Sequence, residues 1–551
     1  MRMRTFKALV LATFVLGVVL RVPTFLRPLL SDDEAIYAVT ADALGRGDLL
    51  YRDVVDHKPP LIYHVYQAGF ALFGRHGPYN TQGAHALVVL AVLLTAGFLF
   101  AIKRQEGGAD DADASSSRRV ALAAAALFLV FSTTWHDYDA LAANCELFLL
   151  APQAAAAWLL LRALRGRTAG PRGLAIHLAV GALVGTSALF KYQGLSFLGA
   201  SIGLLLWWVI LERASGAWAV TMALCQVAGA LVPPALYLWW CRSAGNLAAA
   251  LYWFKFNFSY VGAGLTGGAA IARGLRRTGL IGGAALVPYA LGIAAAISTA
   301  PKIVRVIRRR FAGASSVDAE VPSPAVVLGL LWLVTSAVAV TTGGRFFGHY
   351  FHLVLAPLCL LAAPAFCRLW GTGSQEHDGA WSRRAPLLVL CVLPALIFFG
   401  LATFGRPLAA ALDEGEPRYD EVADRIDALT TSEERVFVWG NSPQLYVMAR
   451  RPMGTRFSFC NYMTGESPGT PTETGQRNAD ANQLPAAWEM LFADLEQRRP
   501  ALFVDAAAAG WDGYGKYPLA RYPRLRAYVD QNYRPVEVRA GVVLYRRLRE
   551  R

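Results

Sequence analysis

The sequence predicts an α-helical polytopic membrane protein of about eleven transmembrane helices, followed by a small extracytoplasmic α/β domain. Three observations carry that reading. Apolar runs recur from Phe6 to Phe404, each near the roughly 20 residues that a helix needs to cross a bilayer core. Only 17% of the 551 residues are charged, against about 25% in soluble domains. Arg and Lys cluster in alternate short loops, as on the cytoplasmic side of membrane proteins. Topology therefore accounts for the formal charge of +14, and nucleic acid is not an expected partner.

Spans are expected at 5–22, 82–102, 120–134, 145–162, 173–190, 194–211, 217–240, 278–299, 324–341, 351–368 and 385–404. A spanning helix satisfies its own backbone groups, which is why such runs read as helices. The first run follows Met-Arg-Met-Arg and meets Arg21 without a small-x-small cleavage site, so it reads as a retained helix and not a signal peptide. With this count, Lys103, Arg104, Arg118 and Arg119 fall on one side. Arg162, Arg165, Arg167, Arg172 and Arg213 join them, as do Lys302 to Arg310 and then Arg368, Arg383 and Arg384. That side is expected to be cytoplasmic. The N-terminus then lies in the cytoplasm. Residues 23–81, 135–144, 191–193, 241–277, 342–350 and the tail from 405 lie outside the inner membrane.

The expected domains are a membrane domain, 1–404, with a long first extracytoplasmic loop, 23–81, and a soluble domain, 405–551. The loop is expected to hold two short helices, from about Asp32 to Leu44 and from Leu61 to Phe73, too short to span but long enough to lie at the interface. In the tail, Tyr419, Val422, Ile426 and Leu429 mark one face of an amphipathic helix. Arg435–Trp439, Ala501–Val504 and Val542–Tyr545 read as strands, and the polar stretch 464–484 as a loop. The seven cysteines form neither a disulfide framework nor a zinc spacing; Cys241 and Cys460 are the two expected on an oxidising side.

The residues able to do chemistry gather on the outer side. In Ser31-Asp-Asp-Glu-Ala-Ile-Tyr37, Ser31 and Glu34 are spaced as a capping box. Asp33 and Tyr37 share a helix face. A carboxylate at a membrane surface is costly unless it has a partner or a task, and one placed there suits general-base work on an acceptor hydroxyl. In Asp56-His-Lys-Pro-Pro60, the prolines fix an extended lead into a helix. Lys58 suits a phosphate, and Asp56 and His57 suit a metal or the acceptor. Asp139 and Glu146 fall on the same side, as does Lys191, alone in the 173–211 hairpin. Arg345, His349 and Tyr350 stand before the tenth span, and Arg345 suits a phosphate through its planar donors. Gly262-Ala-Gly-Leu-Thr-Gly267 matches a dinucleotide fingerprint but has no strand before it. His349 and His352 share a helix face without an evident third metal ligand. No cofactor is called for, and a divalent metal is left open.

Asp33-Glu34 with Tyr37, followed by Lys58-Pro-Pro-Leu61 and Tyr63, resembles the first loop of bacterial members of the protein O-mannosyltransferase and aminoarabinose transferase superfamily, the GT-C glycosyltransferases. Asn144-x-Glu146, Lys191 and Arg345-Phe-Phe-Gly-His-Tyr350 are also similar. The match covers the membrane half and says little of 405–551. The resemblance implies inverting transfer of a sugar from a polyprenyl-phosphate donor to an extracytoplasmic lipid, glycan or protein acceptor. It makes Asp33 the expected catalytic base, with Glu34 beside it in the catalytic segment. Lys58, Lys191, Arg345, Tyr37, His349 and Tyr350 fall at the donor phosphate, with Asp56, His57, Asp139 and Glu146 supporting or meeting the acceptor. One departure stands out: His57, with Asp56 beside it, holds the place where the aminoarabinose branch carries Glu, which argues against aminoarabinose transfer to lipid A. Two other readings compete. A transporter or flippase would bury charges mid-span and repeat its halves. An assembly or sensory protein would use the tail as a binding module.

Overall fold

The structure is a computed structural model that describes residues 3–26, 31–74, 81–106, 111–135, 140–166, 170–312, 321–371, 380–405, 418–467 and 479–548. All eleven predicted apolar runs fall on helices. They are α1 (Met3–Val19), α4 (Gln82–Gln105), α5 (Asp111–Phe131), α6 (Cys145–Arg165), α7 (Gly170–Phe190), α8 (Ser196–Ile210), α9 (Gly216–Ala244), α12 (Leu286–Phe311), α13 (Pro324–Thr341), α14 (His352–Trp370) and α15 (Ala380–Gly400). Among the described residues, ten helices are long and apolar enough to cross a membrane. The eleventh, α5, is apolar only from Val120 onward. The chain is a multi-pass membrane protein.

The first loop carries α2 (Asp32–Gly45) and α3 (Leu61–Phe73), at the places the sequence indicates. One span is corrected. The run expected at 278–299 is interrupted at Ala285, where φ is −108° and ψ 41°. What precedes it is a separate helix, α11 (Gly267–Ala284), which follows α10 (Leu247–Gly262). The span itself is α12, and Arg308, Arg309 and Arg310 are its last turn and not a loop. Apolar content continues across the break, so hydropathy alone merges the two helices. The Gly262–Gly267 pattern ends α10 and leads into α11, with no strand near it.

The centre of the bundle is α6, whose residues from Cys145 to Leu150 are all buried. Beside it α7 and α9 pack closely through glycine. A Cβ on Gly181 would lie 2.0 Å from the carbonyl oxygen of Gln226, and one on Gly185 2.3 Å from that of Ala230. Gly181 and Gly185 are four apart on one helix face. In a bilayer, small residues at that spacing let backbones touch and gain dispersion contacts. The α7–α8 hairpin is closed by Gly194, where a Cβ would lie 2.4 Å from the carbonyl oxygen of Ser187, and Lys191 stands at its tip.

Helix α16 (Tyr419–Leu429) opens the tail and buries Val422 and Ile426. A four-stranded sheet follows in the order β1-β2-β4-β3. Strand β1 (Val436–Trp439) runs parallel to β2 (Leu502–Asp505), and β4 (Val542–Arg547) is antiparallel to both β2 and β3 (Tyr533–Arg539). The sequence does not announce β3. It contains Pro535, which is confined to sheet edges, and its residues after Tyr533 are mostly exposed. Its hairpin turns on Ala540 and Gly541, at φ 48° and 81°, the pair of positive values that a two-residue turn requires. The predicted 464–484 loop includes a single 3-10 turn, Ala479–Asn482; residues 468–478 lie outside the described set.

The tail rests on the first loop. The amide of Val55 donates to the carbonyl of Arg456 at 3.0 Å, and Arg498 Nη2 donates to the carbonyl of Asp53 at 2.7 Å. The glycine contact between α7 and α9 makes a first prediction. Gly185→Leu should lower the unfolding temperature in detergent, by about 1–3 kcal/mol of stability or more, because the added side chain meets backbone that cannot yield. Gly279→Leu, where a Cβ meets nothing within 4 Å, should leave it unchanged.

Candidate active site

A cavity of about 1040 Å³ opens where the first loop, the α7–α8 turn, α10, the turn before α14 and the tail meet. Its floor is made by Asp33, His57, Lys58, Lys191, Arg345 and His349. One arm continues between α8 and α13, lined by Leu195, Gly199, Val334, Val338 and Ala339.

Asp33 enters the floor from the first turn of α2, capped by Ser31, whose Oγ accepts from the Glu34 amide at 3.4 Å. The Lys58 ammonium donates to Asp33 Oδ1 at 2.6 Å. Tyr37 donates to Oδ2 at 3.3 Å, and His349 Nε2 stands 4.0 Å from the same oxygen. Burial alone would raise the Asp33 pKa. Lys58, His349 and Lys191 outweigh it and hold the carboxyl well below its usual range. Burial would likewise lower Lys58, and Asp33 and Asp56 keep it raised and charged. Lys58 also sits 4.6 Å above the Tyr37 ring. Its carbonyl accepts from the Tyr51 hydroxyl at 2.8 Å, and Tyr51 has the left-handed φ of 72°. Such strain at a non-glycine residue persists only where surrounding contacts impose it.

A second pair lies beside the first. Lys191 is bonded to Glu146 and stands 3.9 Å over the Tyr350 ring. Burial would lower Lys191, and Glu146 more than reverses that. Asp56 is, like Glu146, a buried carboxylate. It accepts from the His57 amide at 2.6 Å and the Tyr63 hydroxyl at 2.7 Å, with His57 Nδ1 at 2.9 Å. Burial would raise it; His57, Lys58 and Tyr63 bring it down to about 2. Arg345 donates to the Tyr260 carbonyl at 2.8 Å and to Ser467 Oγ at 3.1 Å, its guanidinium 3.9 Å over the Tyr260 ring. The turn that presents it is tight. Gly344, at φ 61°, passes so close to Leu265 that a Cβ would lie 2.1 Å from its carbonyl oxygen.

The structure thus brings Asp33, Asp56, His57, Lys58, Lys191, Arg345, His349 and Tyr350 to the cavity wall. It places three candidates behind it. Glu34 is fully buried and turned inward, accepting from the Ala143 amide at 2.7 Å and from Tyr66 at 3.2 Å, with His85 Nε2 at 3.1 Å. Its side chain is spent on these contacts, so the capping box is only half formed and Glu34 is not beside the cavity. Tyr37 supports Asp33 from below, and Glu146 supports Lys191. Asp139 lies outside the described residues. Reading the sequence missed Tyr260, Asn257, Tyr462 and Ser467. Asn257 donates to the carbonyl of His57, and Tyr462 meets His57 Nδ1 at 3.5 Å. No local pattern marks them. Among the described residues, no three His, Cys, Asp or Glu side chains gather as a metal site. An ammonium already holds the place beside Asp33 that a cation would take.

The chain is a helical bundle with acids and bases at one end and a small sheet on its first loop, and its fold is GT-C-like. Over 98% of its length it matches the crystal structure of ArnT from Cupriavidus metallidurans bound to undecaprenyl phosphate, with a TM-score of 0.56, 16% identity and 97% of that chain covered. It also matches the archaeal oligosaccharyltransferase AglB from Archaeoglobus fulgidus in complex with an inhibitory peptide and a dolichol-phosphate. There the TM-score is 0.52 and the identity 12%, over 98% of this chain and 74% of that one. The apo form of the Archaeoglobus fulgidus oligosaccharyltransferase gives 0.54 and 12%, over 99% and 75%. No family model and no curated protein matches by sequence.

The second pair makes a prediction. Glu146 is 1% exposed, so Lys191→Ala strands a buried carboxylate, which costs about 3–5 kcal/mol when one partner of such a pair is removed. The variant should unfold at a clearly lower temperature in detergent. Adding Glu146→Gln to it should recover most of the loss, and a cycle showing simple additivity would deny the pairing.

Proposed function

We propose that this protein is an inverting glycosyltransferase that moves a sugar from a polyprenyl-phosphate donor to a hydroxyl acceptor at the extracytoplasmic face of the inner membrane. Residues 405–551 form its extracytoplasmic domain. The observation that carries the reading is the half-buried Asp33–Lys58 pair, on a cavity floor that runs into an apolar arm between helices. The arm suits an isoprenoid chain. The undecaprenyl phosphate and dolichol-phosphate bound by the similar structures support a lipid of that kind.

In this reaction the donor phosphate lies against Lys58, Lys191 and Arg345, with His349 at its side. Asp33 faces the acceptor hydroxyl. It takes the hydroxyl proton as the oxygen attacks the anomeric carbon from the face opposite the phosphate. The bond between that carbon and the phosphate oxygen breaks, and the lipid phosphate leaves with the electron pair. The anomeric configuration inverts. The floor cations stabilise the departing charge because they are already in place. Tyr350 and Glu146 position Lys191. Asp56, with Tyr63, fixes His57, which meets the acceptor side.

Bound to Lys58, Asp33 is a weak base. When a phosphate draws the ammonium away, burial is left as the dominant influence and raises the affinity of the carboxylate for a proton. Donor binding thereby switches the base on. Lys58 is the coupling element, shared between the acid and the phosphate.

Two outcomes test this. Asp33→Asn should keep its fold and its binding of undecaprenyl phosphate but transfer the sugar about 10²–10⁴ times more slowly; undiminished transfer sinks the mechanism. The pH dependence of kcat/KM reports the free enzyme. Asp33 works ionised and its pKa is lowered, so activity should persist as pH falls through the ordinary carboxylate range near about 4. In Lys58→Ala the acid limb should move to higher pH, because burial remains and the main opposing charge is gone. A limb that stays in place would assign the base to another group.

A further inference from the structure

The roof of the cavity is built from residues that this mechanism does not use. Asn441, Asn461, Asn482 and Gln483 bring carboxamides to it, and Phe459 and Tyr462 bring aromatic rings. Asn441 follows the carboxyl end of β1, next to its parallel partner β2. Ligands of open sheets with parallel strands bind at that end. Tyr462 packs on Trp253, at 5.0 Å between ring centroids, and on Phe459 at 5.2 Å, so these rings stand on a fixed aromatic base.

The amides are not saturated by the protein. Asn461 Oδ1 accepts from Tyr514, which leaves its Nδ2 as a donor. Gln483 Nε2 donates to Asp480 at 2.8 Å and keeps Oε1 as an acceptor. The buried Nδ2 of Asn482 has no partner among the described residues. Buried polar groups are nearly always hydrogen-bonded, so such a set calls for a ligand rich in both donors and acceptors. Its charge is also defined. The cations Lys58, Lys191 and Arg345 belong to the floor. The carboxylates at or beside the roof are engaged by the protein: Glu466 by Tyr517 and by Lys516 at 3.0 Å, Asp480 by Gln483 at 2.8 Å and by Arg521 at 2.9 Å, and Asp32 by Gln444. What meets the roof is therefore neutral. A hydrocarbon chain would leave the amides unmet, and a charged group would have to break the pairs that Glu466 and Asp480 already make.

We propose that the roof is a subsite for a neutral sugar ring. The hydroxyls meet Asn441, Asn461, Asn482 and Gln483, each amide being able to donate and accept. The C–H face of the ring lies on Tyr462 and Phe459. The inference rests on the reading of the floor as a phosphate site, and it assigns the sugar to the tail and not to the membrane half. The ring can be the one carried by the donor or one at the end of a glycan acceptor; the chemistry is the same.

The experiment compares the full-length protein in detergent with its Asn441→Leu and Gln483→Ala variants, after their unfolding temperatures are checked. Three probes are used: undecaprenyl phosphate, undecaprenyl phosphate carrying one hexose, and free saccharides observed by saturation-transfer NMR. For a donor sugar, the variants should bind the hexose-bearing lipid about tenfold more weakly and the bare lipid phosphate as before. For an acceptor sugar, both lipids should bind as before, and saccharide signals present with the wild type should fade in the variants. If both lipids bind unchanged and the saccharide signals are missing or unaltered, the subsite is refuted. The floor reading fails by a different sign, namely bare undecaprenyl phosphate left unbound by the wild type or bound equally by Lys58→Ala. The saccharide arm reports on the roof in either case.

Discussion

The site is organised by the cost of holding charge at the end of an apolar bundle. Asp56 and Glu146 are carboxylates withdrawn from water and Asp33 is partly so, and each is held by a partner. Lys58, His57 and Lys191 supply them. The partners come from different segments: α2, the stretch before the Pro59–Pro60 pair, the start of α6, and the tip of the α7–α8 hairpin. Satisfying the charges therefore fixes where these segments meet. The backbone contributes to the same end. Tyr51 in a left-handed conformation holds the carbonyl of Lys58, and the Gly344 turn sets Arg345 against Tyr260. The geometry of the floor is thus settled before any ligand arrives.

Much of the framework is legible in the sequence because its signals are local. Apolar length marks the spans, and the short helices of the first loop are marked by Ser31 and by Pro59–Pro60. The misplaced span is instructive. Leu280 and Ile281 continue the apolar run into Leu286 and Val287, so hydropathy cannot see the break at Ala285. Only the arginines at 273, 276 and 277, on the preceding helix, hint that α11 is a different kind of element. Strand β3 is hidden for the opposite reason, since Pro535 and its exposed side chains resemble a loop until β4 pairs with it.

The candidate site is legible by residue type and less so by contact. Asp33 and Lys58 declare themselves as an acid and a base in one loop, but nothing local says that they touch across 25 positions. Glu34, one residue on, looks equivalent and is not. A single step round the helix turns it toward Tyr66 and the Ala143 amide, 32 and 109 positions away, where it ties the first loop to the start of α6. The amides of the roof are harder still. Asn and Gln are ordinary loop residues, and only the packing of the tail on the first loop brings Asn441 and Gln483 to the cavity that Lys58 also lines.

Floor and roof impose an order on the proposed reaction. Lys58 cannot serve Asp33 and a phosphate fully at the same time. Before a donor binds, the carboxylate is neutralised by its partner, and an acceptor hydroxyl gains little by approaching it. A phosphate entering along the arm between α8 and α13 takes the ammonium, and only then is Asp33 basic enough to matter. A soluble phosphate lacks the chain that the arm accommodates, so it forgoes the apolar contact that would hold it against Lys58 and Lys191. In the proposed reaction the membrane half would select the donor by its lipid, while the amides of the tail would meet a sugar. That proposed division would give the sheet domain pressed onto the first loop a part in the reaction.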